Sequence, residues 1–231
     1  MNRVAIEKSV LSVNNQIAAH LRDALDASGA LALNFISSPG SGKTALLEET
    51  LKLLPHSTRA AVLTGDIQTD NDAQRLQRYG YPVRQITTGG ACHLDARMVA
   101  DHLGDWENFE LLLIENVGNL VCPTSYDLGE DAKVVVLSVT EGEDKPLKYP
   151  GIFRRSELMI INKIDLLRHV PFRMDLAREN ARRINPRIEI IATSCTTGAG
   201  LGHWMNWLAD RAGKKVRAAP SQEVVHALSG T

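Results

Sequence analysis

Residues 31–54 read LALNFISSPGSGKTALLEETLKLL: an apolar run, a loop rich in Gly and Ser, then apolar residues at helical spacing. Strand, loop and helix in that order are what a phosphate-binding loop requires. Successive backbone N–H groups must point into one concavity, which Gly-rich backbone allows, and a helix N-terminus adds positive potential behind them. Gly40 and Gly42 supply that freedom in a cradle running from Pro39 through Ser41 to Ala45. Lys43 is placed to reach terminal phosphates, and the Thr44 hydroxyl to coordinate magnesium. Ser37 stands where the general motif has its first glycine. A Gly-Ser turn ahead of a helix is the plainer reading, but Gly-Lys-Thr directly after an apolar strand favours the phosphate site.

Outward from this stretch the chain alternates short apolar runs with longer amphipathic segments, without internal repeats, which is the signature of an α/β fold. The pattern predicts strands over 31–37, 60–65, 83–88, 111–116, 133–139, 158–162 and 188–193. Most are continuously apolar, as strands covered on both faces should be. It predicts helices over 44–54, 72–79, 94–103, 174–184 and 201–212. The expected architecture is a doubly wound, mostly parallel sheet. Ahead of it, Ile6, Val10, Val13, Ile17 and Leu21 recur every three or four residues, placing one apolar stripe on a helix that ends near Gly29 and packs on the domain. This divides the chain into an N-terminal helix (1–29), a nucleotide-binding domain (30–212) and a loosely held tail (213–231). The basic cluster Arg211, Lys214, Lys215 and Arg217 reads as a solvated helix end.

Composition narrows the function. Across 231 residues, 26 Lys and Arg against 27 Asp and Glu give a formal charge of -1. No global field draws the chain to nucleic acid or to an anionic membrane. Three widely spaced cysteines argue against a disulfide scaffold and for a reducing compartment. No apolar run has signal-peptide character or approaches the roughly 18 residues that span a bilayer. A soluble cytoplasmic protein is expected, with thiols free to bind metal.

Three further segments complete a nucleotide site. NKID, from Asn162 to Asp165, ends a predicted strand, where open α/β sheets place their ligands. Guanine offers an N1–H and an exocyclic amine that one carboxylate accepts together, so Asp165 selects GTP; Asn162 supports the loop and the stem of Lys163 covers the purine. TSCTTGAGL follows the last strand, making Ser194 and Cys195 candidate contacts to the base. LLLIENVGNLVCP places Glu115 at a strand end as a magnesium carboxylate, with Gly118 three residues later as the flexible glycine of a nucleotide switch. GDIQTDND supplies Asp66, Asp70 and Asp72, among them a magnesium–water contact and a group that orients the attacking water. Asp66 lies closest to the strand end, whereas Asp70 and Asp72 equally suit helix capping.

Cys92 and His93 in TTGGACHLD follow one predicted strand, and Cys122 follows another. Parallel strands bring both loops to one edge of the sheet. Thiolate and imidazole suit nickel or zinc, and three ligands leave either ion incomplete unless a second chain or water finishes it. A small core cysteine and a helix-starting histidine are the blander alternative. Cys122 shares the loop that begins at Glu115, so metal and nucleotide occupancy should be linked.

Taken together, SSPGSGKT, GDIQTDND, GGACHLD, ENVGNLVCP, EGEDKPLKYP and NKIDL resemble the HypB family, nickel incorporation GTPases of hydrogenase maturation, from the N-terminal helix to about Ala212. ENVGNLVCP with Cys-His separates the chain from the related urease nickel GTPases, whose metal motif is Cys-Pro-His. The resemblance implies a P-loop NTPase of the SIMIBI type and a GTP-dependent homodimer that binds nickel or zinc at its interface through Cys92, His93 and Cys122 of both subunits. It implies a HypA-type nickel metallochaperone as partner and the hydrogenase large subunit precursor as recipient. Lys145 or Lys148 is expected to reach nucleotide across that dimer. The N-terminal Cys-x-x-Cys-Gly-Cys motif and the His-rich tract of many relatives are missing from this sequence, which leaves the switch-linked metal site.

The reaction expected is slow hydrolysis of GTP to GDP and phosphate, because Asn119 occupies the place after Gly118 where a catalytic glutamine would stand. Three rivals remain. A phosphate-loop kinase would show acceptor-dependent transfer, and a metal-binding scaffold would not hydrolyse GTP. A GTPase serving another metalloenzyme, such as urease, gives no reason for Cys92, His93 and Cys122 together.

Overall fold

The computed structural model describes residues 3–66, 71–104, 106 and 108–218, with residues 3–8 described by backbone alone. Seven strands form one sheet: β1 (Leu31–Ser37), β2 (Ala60–Asp66), β3 (Val83–Thr87), β4 (Leu111–Glu115), β5 (Ala132–Ser138), β6 (Leu158–Asn162) and β7 (Glu189–Ala192). Their order is β3-β2-β4-β1-β5-β6-β7, and every pairing is parallel. Strand order reverses at β1, which lies between β4 and β5. The loop after β1 therefore opens into the crevice where doubly wound sheets bind ligands.

The helices are α1 (Arg3–Ser28), α2 (Lys43–Leu53), α3 (Asn71–Gln77), α4 (Ala96–Leu103), α5 (Lys145–Lys148), α6 (Pro150–Arg155), α7 (Met174–Ile184) and α8 (Leu201–Ala218). The central strands β1, β4, β5 and β6 are buried along their whole length because helices cover both faces. Leu46, Leu51 and Leu76 of α2 and α3 join Trp204 and Leu208 of α8 over Phe35 and Val134. On the opposite face Leu25 and Val99, from α1 and α4, join Leu63 and Ile114, while Phe153 and Ala177, from α6 and α7, meet Val135 and Ile161.

Trp204 shows how this core combines area with polar satisfaction. Its ring meets Phe35 edge-on at 5.8 Å, and its indole N–H donates to Thr50 Oγ1 at 2.8 Å. Thr50→Val keeps the volume but orphans a buried donor. It should lower unfolding stability by about 1–3 kcal/mol, read from the denaturant midpoint at unchanged slope.

The N-terminal helix presents a different face from the one its apolar spacing predicts. Val10 and Val13 are 50% and 54% exposed, whereas Asn14, Ala18 and Leu25 are buried. The reason is polar: Asn14 Oδ1 accepts from the Ala96 amide at 2.9 Å and its Nδ2 donates to the Asp127 carbonyl at 2.9 Å. Arg22 adds an ion pair to Asp127 at 2.6 Å. Hydrophobic periodicity cannot register a helix that docks through an asparagine.

Helix α8 runs past Ala212 to Ala218, so residues 213–218 are helical and not a loose tail. Lys215 folds back onto Asp26 and Asp131, and Arg211 pairs with Glu157. Arg211 and Lys215 are therefore paired, not simply solvated. The rest of the expected tail, 219–231, lies outside the described residues. Among the described residues no helix is long and apolar enough to cross a membrane.

Candidate nucleotide and metal site

The loop between β1 and α2 wraps one end of a cavity of about 770 Å³, lined by Pro39, Gly40, Gly42, Lys43, Thr44 and Ala45 and, opposite, by Gly65, Asp66, Asp72, Arg75 and 115–118. Gly42 has φ 95°, a left-handed conformation, and a Cβ there would sit 2.5 Å from Asn162 Nδ2. Only glycine fits both demands. Ser41 turns inward, donating through Oγ to Glu141 Oε1 at 2.6 Å. Ser37, where the general motif has glycine, accepts from Lys43 Nζ at 2.9 Å and so parks the ammonium at the loop mouth. Burial pushes the Lys43 pKa down, against the pull of Glu115 and its other acidic neighbours.

Beside the cradle, Thr44 Oγ1 donates to Glu115 Oε1 at 2.8 Å. Burial pushes the Glu115 carboxyl up to about 7, against opposing effects of Lys43 and Thr44. Its Oε2 is buried without a hydrogen-bond partner. Asp66 lies at the end of β2 on the same cavity. Asp72 is the second residue of α3, inside its first turn and not its cap, and it lines the cavity with Arg75. Asp70 falls outside the described residues. Gly118 approaches the cradle so closely that a Cβ would lie 3.1 Å from Pro39 Cα. The loop after Glu115 is thus in contact with the phosphate loop.

The NKID and TSCTTGAGL segments meet beside the cradle. Asn162 Nδ2 donates to the Ser41 carbonyl at 3.1 Å, and its Oδ1 accepts from Thr193 Oγ1 at 3.2 Å. Lys163, held at φ 63°, donates to the Gly40 carbonyl at 2.7 Å. Ser194 Oγ donates to Asp165 Oδ1 at 2.5 Å, fixing the carboxylate. Cys195 lies against Asn162 Oδ1 at 3.5 Å, and burial pushes its thiol up to about 11.

The EGEDKPLKYP loop carries a group that sequence reasoning passes over. Glu141 accepts from Ser41 and from the Ser138 amide at 3.0 Å and pairs with Lys145 at 3.2 Å. Burial pushes its carboxyl up, but the Ser41 and Ser138 donors outweigh it and hold the group below its usual range. A carboxylate three residues beyond the end of β5, on the ligand edge of the sheet, was the available signal. Within one chain Lys145 reaches the cradle, bonding Ser38 Oγ at 3.2 Å, whereas exposed Lys148 pairs with Asp144 at 2.7 Å.

Cys92, His93 and Cys122 come together on the same edge, their ligand atoms all within 4.8 Å of one another. Cys122 opens a short 3-10 helix, Cys122–Ser125, and Tyr126 beyond it lies against the His93 ring at 3.9 Å between centroids. Hydrogen bonding to Cys122, helped by burial, pushes the Cys92 thiol up. Burial pushes His93 down, against the pull of Asp95, and so favours the neutral imidazole that ligates metal. Two sulfurs and one nitrogen form a soft, incomplete donor set suited to nickel or zinc.

Residues 32–192 match the family "CobW/HypB/UreG, nucleotide-binding domain". The chain is 50% identical over 215 residues to hydrogenase maturation factor HypB of Azotobacter vinelandii, covering 92% of this chain and 71% of that protein. Two solved structures are similar at 40% identity. HypB of Archaeoglobus fulgidus superposes with a TM-score of 0.83, covering 87% of this chain and 99% of the other. HypB of Helicobacter pylori in complex with nickel superposes with a TM-score of 0.82, covering 90% and 98%. With a phosphate cradle, a guanine-type base loop and a Cys-His-Cys cluster at one edge of a parallel sheet, the chain belongs to the HypB family of hydrogenase maturation factors.

Proposed function

We propose that the chain is a GTP-hydrolysing metallochaperone that binds nickel, or zinc in its place, and assists nickel insertion into hydrogenase as a nucleotide-switched homodimer. One observation carries this reading: the loop that starts at Glu115, bonded to Thr44, ends at Cys122 beside Cys92 and His93. Movement at the phosphate end must reach a metal ligand seven residues later.

The cradle amides, with Lys43, bind the phosphates of GTP, and Lys43 leaves Ser37 to do so. Asn162, Lys163, Asp165, Ser194 and Cys195 hold the base. Thr44, Asp66 and Glu115 would hold magnesium; the donors are all oxygen, and the unpartnered Glu115 Oε2 is the kind of buried atom a hard cation satisfies. Bound there, magnesium neutralises phosphate charge. Asp66 or Asp72 orients the attacking water, and Lys43 stabilises charge on the transferred phosphate. Turnover is slow because Asn119, where a glutamine would serve hydrolysis, donates to the Cys92 carbonyl instead.

Three ligands per chain call for completion by the partner copy, and Lys148 is free enough to exchange Asp144 for nucleotide across that interface. Metal is cargo, received and passed on with a HypA-type metallochaperone and delivered to the hydrogenase large subunit precursor. Nucleic acid and membrane have no part in it. The N-terminal helix, Arg3–Ser28 in its described extent, acts as one body with the nucleotide domain.

Sedimentation with GDP or a nonhydrolysable GTP analogue, with and without nickel, tests the switch. The analogue should tighten dimerisation, and nickel should tighten it further by a factor in the range of roughly 5–150. Cys122→Ala should abolish the nickel increment and retain the nucleotide effect. Identical sedimentation in all four conditions would overturn the proposal.

A further inference from the structure

The peptide group that joins Cys92 to His93 and the one that follows His93 are both held by asparagine side chains from one loop. Asn119 Nδ2 donates to the Cys92 carbonyl at 3.3 Å, and its Oδ1 accepts from the Val121 amide at 2.8 Å. One amide side chain thus ties Cys92 to the residue before Cys122. Asn116 Oδ1 accepts from the Leu94 amide and from the Val117 amide, both at 3.0 Å. A single oxygen therefore joins the backbone after His93 to the backbone after Glu115. Asn116 and Leu94 are buried, so these bonds have no ready exchange with water. A shift of the loop after Glu115 must either carry the Cys-His peptide with it or orphan buried polar groups.

A second polar path runs from Asn116 to Tyr126, whose ring touches His93. Asn116 Nδ2 donates to Asn34 Oδ1 at 3.2 Å, and Asn34 Nδ2 donates to Glu130 Oε1 at 3.2 Å. Glu130 pairs with Lys133, whose Nζ donates to the Tyr126 carbonyl at 3.0 Å. The ring of Tyr126 is the one lying against His93. Asn34, Asn116, Glu130 and Lys133 are all buried. A polar chain through an otherwise apolar sheet is at best neutral for stability beside well-packed hydrocarbon. Here it links Asn116, adjacent to Glu115, to the residue whose ring lies against His93.

We infer that Asn116 and Asn119 are positioning residues that clamp the Cys92–His93 pair to the phosphate-sensing loop, a route for nucleotide–metal coupling separate from the covalent one through Cys122. The inference rests on the proposed linkage between nucleotide and nickel. Covalent connection moves Cys122 alone, one ligand of three. The clamp makes Cys92 and His93 follow, so the three ligands respond as one body.

Two measurements on Asn119→Ala and Asn116→Ala test this. In metal-free protein, the His93 imidazole resonances, assigned by their loss in His93→Gln, should shift when GDP is replaced by a nonhydrolysable GTP analogue. That shift should collapse in both variants. In competitive chelator titrations the ratio of nickel Kd between the two nucleotide states, roughly 5- to 150-fold in the unaltered chain, should narrow to about threefold or less in Asn119→Ala. Asn119 is partly exposed, so this variant keeps the test open if Asn116→Ala fails to fold. His93 shifts and Kd ratios equal to those of the unaltered chain would overturn the clamp alone. A ratio of one in the unaltered chain would overturn the linkage and the clamp as its route.

Discussion

Replacing Asp165 by Asn will exchange GTP for xanthosine triphosphate, moving the ratio of the two affinities by roughly four powers of ten. In the proposed site the carboxylate offers two acceptors to the N1–H and exocyclic amine of guanine. Asparagine offers one acceptor and one donor, which match the N1–H and C2 oxygen of xanthine. The effect is large because the Asp165 side chain is already committed: Ser194 donates to Oδ1 and fixes its orientation. A mismatched base therefore leaves a polar group unpaired in the site instead of provoking a simple rotation. Competition of both nucleotides against a fluorescent GDP measures the ratio. A change of less than threefold would remove Asp165 from base recognition, and Ser194→Ala should weaken GTP by a smaller factor.

The second large effect is expected at Glu115, and its two readouts move in opposite directions. Burial raises the carboxyl from its ordinary value of 4.5 to about 7 in the folded chain. Lys43, Thr44 and Arg75 pull it down, and Asp72 pushes it further up. Between those two values the folded chain binds a proton that the unfolded chain has released. Stability contributed by this group is therefore complete below about pH 4.5, falls as pH rises, and is lost above about pH 7. At 1.36 kcal/mol per pH unit the loss reaches about 3 kcal/mol. Glu115→Gln should make nucleotide-free protein more stable at pH 8 by up to about 3 kcal/mol and flatten its stability between pH 5 and 7. If Glu115 holds magnesium as proposed, the same change replaces that carboxylate by a neutral amide, and hydrolysis should fall by roughly 10²–10³. Chemical denaturation across pH and a phosphate-release assay check the two. A variant that loses both stability and activity would show that Glu115 is a structural carboxylate and not a poised ligand.

The legible parts of this molecule are those whose chemistry is written in neighbouring residues. The buried strands announce themselves as apolar runs, and residues 158–162 and 174–184 form a strand and a helix with the boundaries their pattern predicts. Boundaries drift where a cap decides them. Asp95 accepts from the Met98 amide at 2.8 Å and starts α4 at Ala96, leaving Leu94 in the metal loop. The face of α1 was illegible for a related reason. Asn14 outweighs Val10 and Val13 because it finds two backbone partners, on α4 and at Asp127, and neither is local to it.

The same division runs through the functional site. The residue types at strand ends point by themselves to phosphate, guanine and a soft metal ion as ligands, because Gly-Lys-Thr, Asn-Lys-x-Asp and the Cys-His pair each place the needed groups at short spacing. Only the tertiary structure shows the contacts through which the proposed coupling would run. The acceptor at Cys92 and the donor at Leu94 are backbone groups, which nearly all residues share and which no side-chain pattern marks. Their partners, Asn119 and Asn116, are 27 and 22 residues away along the chain, and it is the parallel register of the sheet that sets them side by side.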